Sequence, residues 1–167
     1  MTNETGSGRN HGPEQSINKM TPDGEYYRLC YELETTLAER AHTFAQKRQV
    51  TGYFTEMTRK AVAVIGLLDG HLRIGAHRHD PIETKEIVWD LSQQISTPTV
   101  IISVYVNVDV NAILQRLTAK YSSATFSSIV NTGMRMYLDL AALQEERYSI
   151  ALFDHGGEAS GLLIHDF

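Results

Sequence analysis

The feature of this sequence that most constrains its fold is a strand–helix–helix pattern that occurs twice. In each copy, a run of alternating apolar residues precedes two stretches in which apolar residues recur every three or four positions. The first copy begins with RLCYELE at residues 28–34, and the second begins with IISVYVNV at residues 101–108. One such unit cannot bury its strand edge and helical stripe alone, so we expect the two copies to pack together.

The two copies align on each other by pattern rather than by identity. Leu33 and Leu37 fall on Val106 and Val110 at an offset of 73 residues. In the second helices the offset is 72, and four apolar positions of one copy match four of the other: Met57, Ala61, Val62 and Ile65 against Ile129, Gly133, Met134 and Tyr137. This favours an internal duplication, with chance coincidence of two common patterns as the alternative.

The pattern divides the chain into five segments. We predict a disordered arm, a first unit, a linker with a short helix, a second unit and an acidic β-hairpin: 1–24, 25–69, 70–99, 100–147 and 148–167. Strand 27–33 is expected to pair antiparallel with strand 102–108 in the same chain. The hairpin strands are predicted at Tyr148–Phe153 and Leu162–Phe167, around a Gly156–Gly157 turn.

Short polar residues predict where the helices begin and end. A side-chain oxygen just ahead of a helix accepts a hydrogen bond from a free backbone N–H group, which favours Ser, Thr, Asp and Asn there. The expected start residues are Thr35 or Thr36, Thr55 and Asp109. Gly70 is placed to end the second helix of the first unit.

The charge is unevenly distributed along the chain. Fifteen basic and twenty acidic residues give a net charge of −5, yet each of the two units is neutral. The last twenty residues hold three acids and no Lys or Arg. The overall acidity therefore does not exclude a nucleic-acid partner, although neutral units predict weak non-specific attraction to DNA.

Composition also indicates in which cellular compartment the protein is expected. The single cysteine, Cys30, excludes an internal disulfide and a multi-cysteine zinc site. No apolar run approaches the length of a membrane span, and the first residues lack the apolar stretch of a signal peptide. We therefore expect a cytoplasmic protein with no membrane partner.

The two units resemble the ribbon-helix-helix superfamily of Arc, MetJ and CopG type. The resemblance is carried by RLCYELETTLAERAHTF…FTEMTRKAVAVIGLL and by SVYVNVDVNAILQRL…TFSSIVNTGMRMYL, which together cover a little over half of the chain. It implies a mainly α fold with short β-strands. That fold is a tandem ribbon-helix-helix forming an intramolecular pseudo-dimer, with a two-stranded antiparallel ribbon, four helices and a C-terminal β-hairpin.

In this family the ribbon enters the DNA major groove, and its outward side chains read base edges. The resemblance implies that the base-reading residues are Arg28, Cys30, Glu32, Ser103, Tyr105 and Asn107. Ile101 is also expected on the outward face. Glu32 and Ile101 depart from the polar or basic residues that the family usually places there.

The family also grips DNA phosphates with the start of the second helix of each unit. The residues that would make these contacts are Thr55, Lys47, Arg48, Lys120, Ser127 and Ser128. For the Ser and Thr residues, plain helix capping is the alternative interpretation.

Three functional hypotheses follow from these residues. The first is a sequence-specific protein that binds double-stranded DNA and serves transcriptional repression, plasmid maintenance or conjugation. The second is a protein-interaction or antitoxin-like module that keeps the fold without reading the groove and binds a protein partner or a second copy through the hairpin. The third and weakest is a metal-responsive regulator that uses His77 and His79, for which a solvated turn is the better interpretation.

We expect neither an enzyme nor a bound cofactor. The sequence shows no nucleophile–base arrangement, no phosphate-binding glycine loop and no paired carboxylates in a supporting context.

Overall fold

The computed structural model describes residues 17–21, 24–69, 73–153 and 159–162. Within them the chain forms four helices and seven strands. In chain order the elements are β1 (Ile17–Thr21), β2 (Gly24–Glu34), α1 (Thr35–Lys47), α2 (Tyr53–Leu68), β3 (Arg73–His79), β4 (Ile82–Ile87), β5 (Thr99–Asn107), α3 (Val108–Lys120), α4 (Phe126–Glu145), β6 (Ser149–Phe153) and β7 (Ala159–Leu162).

The first sheet has three antiparallel strands in the order β1-β2-β5. Strands β2 and β5 pair from Tyr26 opposite Asn107 to Glu34 opposite Thr99. Their alternation places Leu29, Tyr31 and Leu33 in the core together with Val104 and Val106, a set that is at least 95% buried. Strand β1 pairs with residues 24–27 of β2, so among the described residues the rest of β2 and β5 is a two-stranded segment.

The second sheet has four antiparallel strands in the order β4-β3-β6-β7. It buries one face, on which Ile74 and Ala76 of β3 lie beside Ile150 and Leu152 of β6. These residues belong to the same apolar cluster as the cores of β2 and β5.

The four helices pack against the buried face of the first sheet and against each other. Helices α2 and α4 cross where Gly133 lies directly on the backbone of Ala61. A Cβ atom added at Gly133 would stand 2.2 Å from the Ala61 carbonyl oxygen, so only glycine permits this approach. Met57, Ile65, Ile129 and Met134 fill the space around the crossing and are fully buried.

The predicted fold class is wrong. A tandem ribbon-helix-helix with a two-stranded ribbon, four helices and a separate hairpin does not describe a chain whose described residues form seven strands in two antiparallel sheets. The difference arises because residues outside the two units also pair. Residues 17–21, expected in a disordered arm, form β1, and the linker supplies β3 and β4.

The short helix predicted in the linker is also wrong. Its apolar residues Ile87, Val88 and Leu91 have helical spacing, but residues 82–87 pair with β3 as strand β4. The first predicted hairpin strand is present as β6, which pairs with β7, but β7 (Ala159–Leu162) lies earlier than the predicted second strand and shares only Leu162 with it. The turn at 156–157 and the end of the expected second strand at 163–167 lie outside the described residues.

The helix starts differ from the predicted residues. Helix α1 has Glu34 at its N-cap position, where no side chain caps it, and the Thr35 hydroxyl instead donates to the Pro98 carbonyl at 3.0 Å. The N-cap of helix α2 is Gly52, three residues before the predicted Thr55. Helix α3 is capped by Asn107 rather than by Asp109. Gly70, the expected end of α2, is outside the described residues.

Candidate nucleic-acid interface

The face of β2 and β5 that points away from the helices is uncovered in the described part of the chain. Opposed pairs across it are Arg28 with Tyr105, Cys30 with Ser103, and Glu32 with Ile101. We call these six residues the ribbon face. Ile101 is 78% exposed and Tyr105 is 46% exposed. The charge of this face is neutral, because Arg28 and Glu32 are its only charged residues.

Ser103 organises the centre of the ribbon face. Its hydroxyl oxygen accepts a hydrogen bond from Arg28 Nε at 3.0 Å across the strands. The Cys30 thiol donates a weaker contact to the same oxygen at 3.4 Å. The guanidinium is therefore held on the exposed face beside Tyr105, and Cys30 is only partly exposed.

Asn107 lies at the end of the ribbon, where it caps a helix. Its side-chain oxygen accepts from the Val110 backbone N–H at 3.0 Å. This contact stabilises the start of α3 and occupies the oxygen that a base contact would need, while the amide nitrogen keeps its donors.

The start of α4 lies against β2. Thr125 and Ser128 form a capping box, in which each side chain accepts from the other residue's backbone N–H. The Ser127 hydroxyl accepts from the Glu32 backbone N–H at 3.0 Å. The hydroxyls of both predicted phosphate-binding serines of α4 thus already make internal hydrogen bonds.

The start of α2 is built differently. Its N-cap is Gly52 in the left-handed region, at φ 63°, and no side chain caps its first turn. Thr55 is exposed, and Glu56 forms an ion pair with Arg59 at 2.7 Å. Of the two helix starts, that of α2 therefore leaves more backbone N–H groups open to an outside acceptor.

The cations predicted to contact phosphate are paired with carboxylates. Lys47 and Arg48 both contact Glu145, at 3.1 and 2.9 Å. The hydrogen bond from Lys47 is the main cause that holds the pKa of Glu145 below its usual value. The Lys47 side chain is 68% exposed, and exposed pairs of this kind contribute about 0–1 kcal/mol, so a phosphate could compete for Lys47. Arg48 is only 19% exposed and is less accessible.

Lys120 is held at the end of α2. Its ammonium and the Tyr121 hydroxyl both donate to Asp69, at 2.8 and 2.7 Å. Burial alone would raise the pKa of Asp69, but these two hydrogen bonds outweigh it and the pKa is lowered. The bond to Asp69 in turn raises the pKa of Lys120.

His77 and His79 are neighbours on β3, with ring centroids 4.6 Å apart and planes nearly perpendicular. His77 Nδ1 is 3.0 Å from the Thr84 hydroxyl. Among the described residues, no group of three or more His, Cys, Asp or Glu side chains is arranged to hold a metal ion.

Sequence reasoning missed Asn131, which holds the edge of β2. Its side-chain oxygen accepts from the Glu34 backbone N–H at 2.9 Å, and its amide nitrogen donates to the Glu32 and Ser127 carbonyls at 2.7 Å. The signal that could have revealed it is a lone asparagine within the apolar stripe of α4.

The sequence analysis also missed the neighbouring ion pair of Glu34 with Arg135. The two side chains meet at 2.9 Å, and the Glu34 carboxylate is 8% exposed. Glu34 also accepts from the Ser96 backbone N–H at 2.9 Å, which ties the linker to the end of β2. These contacts fix the end of the ribbon relative to α4.

No protein-family model, curated protein or solved structure matches the chain. Of the helices that the structure describes, none combines the length and apolar character needed to cross a membrane.

Proposed function

We propose that this chain is a cytoplasmic, sequence-specific protein that binds double-stranded DNA and inserts the ribbon face into the major groove. The observation that carries the proposal is the uncovered two-stranded segment on which Ser103 holds Arg28 beside Tyr105. The similarity of the two strand–helix–helix segments to ribbon-helix-helix regulators supports it. The role would be transcriptional repression, plasmid maintenance or control of conjugation.

The dimensions of the segment suit this role. The major groove is about 12 Å wide and admits a two-stranded ribbon. Beyond residues 24–27, which pair with β1, the described residues place two strands in this segment and no helix on its outer face. Arg28 supplies donors for guanine, and Ser103 and Tyr105 supply hydroxyls.

The remaining ribbon-face residues suit particular bases. Glu32 can accept from the amino group of cytosine, and Ile101 can contact the methyl group of thymine. Cys30 adds a weak thiol donor. The ribbon face has one cation and one anion, so it gains little attraction to the DNA phosphates. Its affinity would therefore come more from base contacts than from phosphate contacts.

Phosphates would be held at the ends of the ribbon. The uncapped start of α2, with Thr55, offers backbone N–H groups, and the start of α4, with Ser127 and Ser128, lies directly beside β2. Lys47, Arg48 and Lys120 would contribute only after release from Glu145 and Asp69. We therefore expect affinity to fall less steeply with salt than for a protein with free cations.

The test is selection of a binding site from a random duplex library, followed by fluorescence anisotropy with the selected duplex at several salt concentrations. Arg28→Ala and Tyr105→Ala should each weaken binding by about 5- to 150-fold, which corresponds to 1–3 kcal/mol. Arg116→Ala is the matched control, because Arg116 is an exposed arginine on α3, outside the ribbon face. Equal affinity of all three variants and the wild type, or no selected site at low salt, would contradict the proposal.

A second candidate function is a protein-interaction or antitoxin-like module. The observation that favours it is the exposed Ile101 side chain on a face without net charge. Co-purification of a stoichiometric protein partner without nucleic-acid absorbance would support this candidate, provided that Ile101→Ser releases the partner.

A further inference from the structure

The outer edge of β5 is open in the described part of the chain. In antiparallel strands, directly opposed residues either exchange both hydrogen bonds or point their backbone groups away from each other. The Glu32 N–H group points away from β5, to Ser127, so its partner Ile101 also points its N–H and C=O groups outward. The same alternation turns the backbone groups of Thr99 and Ser103 outward.

Nothing in the described residues pairs with this edge. Strand β5 is the last strand of its sheet, and no hydrogen bond among the described residues ends on the outward backbone groups of Thr99, Ile101 or Ser103. On the other side of the ribbon, β1 pairs with residues 24–27 of β2, and the Ser127 and Asn131 side chains bond to the outward backbone groups of Glu32 and Glu34.

The exposed apolar side chains at this edge lie on both faces of the sheet. Ile101 points to the ribbon face and is 78% exposed, while Val100 points to the helix side and is 38% exposed. A partner docked on one face would cover only one of them. An added strand beside β5 covers both, because its own side chains alternate between the two faces.

The sequence of β5 favours a second copy of the same strand. Thr99–Asn107 contains no charged residue, whereas edge strands normally carry charges that prevent strand addition. One of the two edge strands of the other sheet shows that protection: β4 carries Glu83, Lys85 and Glu86 within six residues. Two copies of β5 can therefore meet without repulsion between like charges.

We propose that two copies of this chain associate through antiparallel pairing of their β5 strands, centred on Ile101. In this register Ile101 faces its own copy in a hydrogen-bonded pair, and Thr99 pairs with Ser103 on either side. Val100 then lies opposite Ile102 on the helix side. One strand–strand seam is a small interface, so the dimer is weak and forms at high protein concentration.

The first experiment is sedimentation velocity of the full chain without DNA, from low micromolar to about 1 mM. The wild type should shift from monomer to dimer across this range. Ile101→Lys should abolish the shift, since it places two like charges directly opposite each other. Ile82→Lys is the matched control, because Ile82 is an equally exposed isoleucine (81%) on β4, and it should behave as the wild type.

The second experiment determines the register by cysteine cross-linking in a Cys30→Ser background. Directly opposed Cα atoms in a hydrogen-bonded pair are about 5.5 Å apart, which suits a disulfide. Ile101→Cys should therefore give a disulfide-linked dimer on oxidation, and Ser103→Cys should not, because it faces Thr99.

Three results would overturn the proposal: a monomer at about 1 mM, loss of the dimer with Ile82→Lys but not with Ile101→Lys, or cross-linking at 103 rather than at 101. The pairing goes beyond the proposed DNA binding and is measured without DNA. Failure of the dimer proposal therefore appears in sedimentation and cross-linking, and failure of the DNA-binding proposal appears in the duplex-binding assay.

Discussion

The two strand–helix–helix units have similar cores but different strand edges. In the second unit, Ser127 and Asn131 of α4 bond to the edge of β2. The matching positions of the first unit are Thr55 and Arg59, which are exposed, and Arg59 bonds to Glu56 instead. The α4 side chains thus bond to β2 at Glu32 and Glu34, whereas among the described residues neither Thr55 nor Arg59 bonds to β5.

The apolar and the polar positions of the repeat have different roles. The apolar positions that match between the units, such as Ile65 and Tyr137, are buried in both. The polar positions differ, and they decide which strand receives side-chain bonds from its neighbouring helix. A repeated core can thus support strand edges that differ in their side-chain bonds, and the proposed self-association uses the edge of β5 at Thr99–Ser103, which has no partner among the described residues.

The largest expected effect comes from the helix crossing, where the units differ by Gly133 against Ala61. Gly133→Ala would drive a Cβ atom into the Ala61 carbonyl, which is backbone and cannot move aside. We expect the free energy of unfolding to fall by about 3 kcal/mol or more. Urea denaturation followed by circular dichroism measures the change.

Gly66→Ala is the control for this substitution. Its added Cβ would meet the Ile113 side chain at 3.0 Å, and that side chain can shift. We expect a change within about 1 kcal/mol, because alanine also favours the helix by a similar amount. Equal losses for the two variants would show that the crossing is not limited by the backbone contact.

The next largest effect concerns the bonds from Asn131 to the edge of β2. Asn131→Leu removes the partners of the Glu34 N–H and the Glu32 C=O groups, and an unsatisfied buried group costs about 1–3 kcal/mol. We expect unfolding to become easier by about 2 kcal/mol in urea denaturation. Arg59→Leu, at the matching position of the first unit, should change stability by less than about 0.5 kcal/mol. A loss with Arg59→Leu as large as that with Asn131→Leu would show that both positions support a strand edge.

The smallest expected effect concerns the pH dependence of stability, which we compare at two carboxylates near helix ends, Asp69 and Glu145. Hydrogen bonds from Lys120 and Tyr121 keep the pKa of Asp69 below its usual value, so the unfolded chain takes up a proton first as the pH falls. The stability that Asp69 contributes is complete above its ordinary pKa of about 4 and is lost as the pH falls toward the lower folded value. Asp69→Asn should therefore flatten the fall of the melting temperature between neutral pH and pH ~3.

Glu145→Gln tests the same effect at the other helix end. The pKa of Glu145 is also lowered, mainly by Lys47, but its side chain is 41% exposed while that of Asp69 is 10% exposed. We expect a weaker flattening, because solvent screens the exposed pair. A stronger effect of Glu145→Gln than of Asp69→Asn would reverse this ranking.

Much of the two units could be predicted because their side chains alternate or recur with a clear period. Leu29, Tyr31 and Leu33 are buried as the alternation in β2 indicates. The prediction of a helix in the linker was wrong for a physical reason. The spacing of Ile87, Val88 and Leu91 suits a helix, but the backbone of residues 82–87 pairs with β3. Strand β1 was missed because INKMT has no apolar period.

The candidate site was predictable only in part. Alternation indicated which side chains share the ribbon face, and the register of β2 and β5 brings them together in pairs. The roles of Asn107 as a helix cap and of Lys120 as a partner of Asp69 depend on neighbours that are close in space. Asn131 was missed because its partners lie 97 and 99 residues away in the chain.

The sequence by itself determined which faces of the two units are buried, since apolar periodicity is a local property and burial of those faces stabilises any arrangement. Only the tertiary structure decided the second sheet, the partners of the predicted phosphate-binding cations and the bonding of α4 side chains to the backbone of β2. The reason is that backbone groups are nearly the same in every residue. Which of them pair depends on what the fold brings alongside.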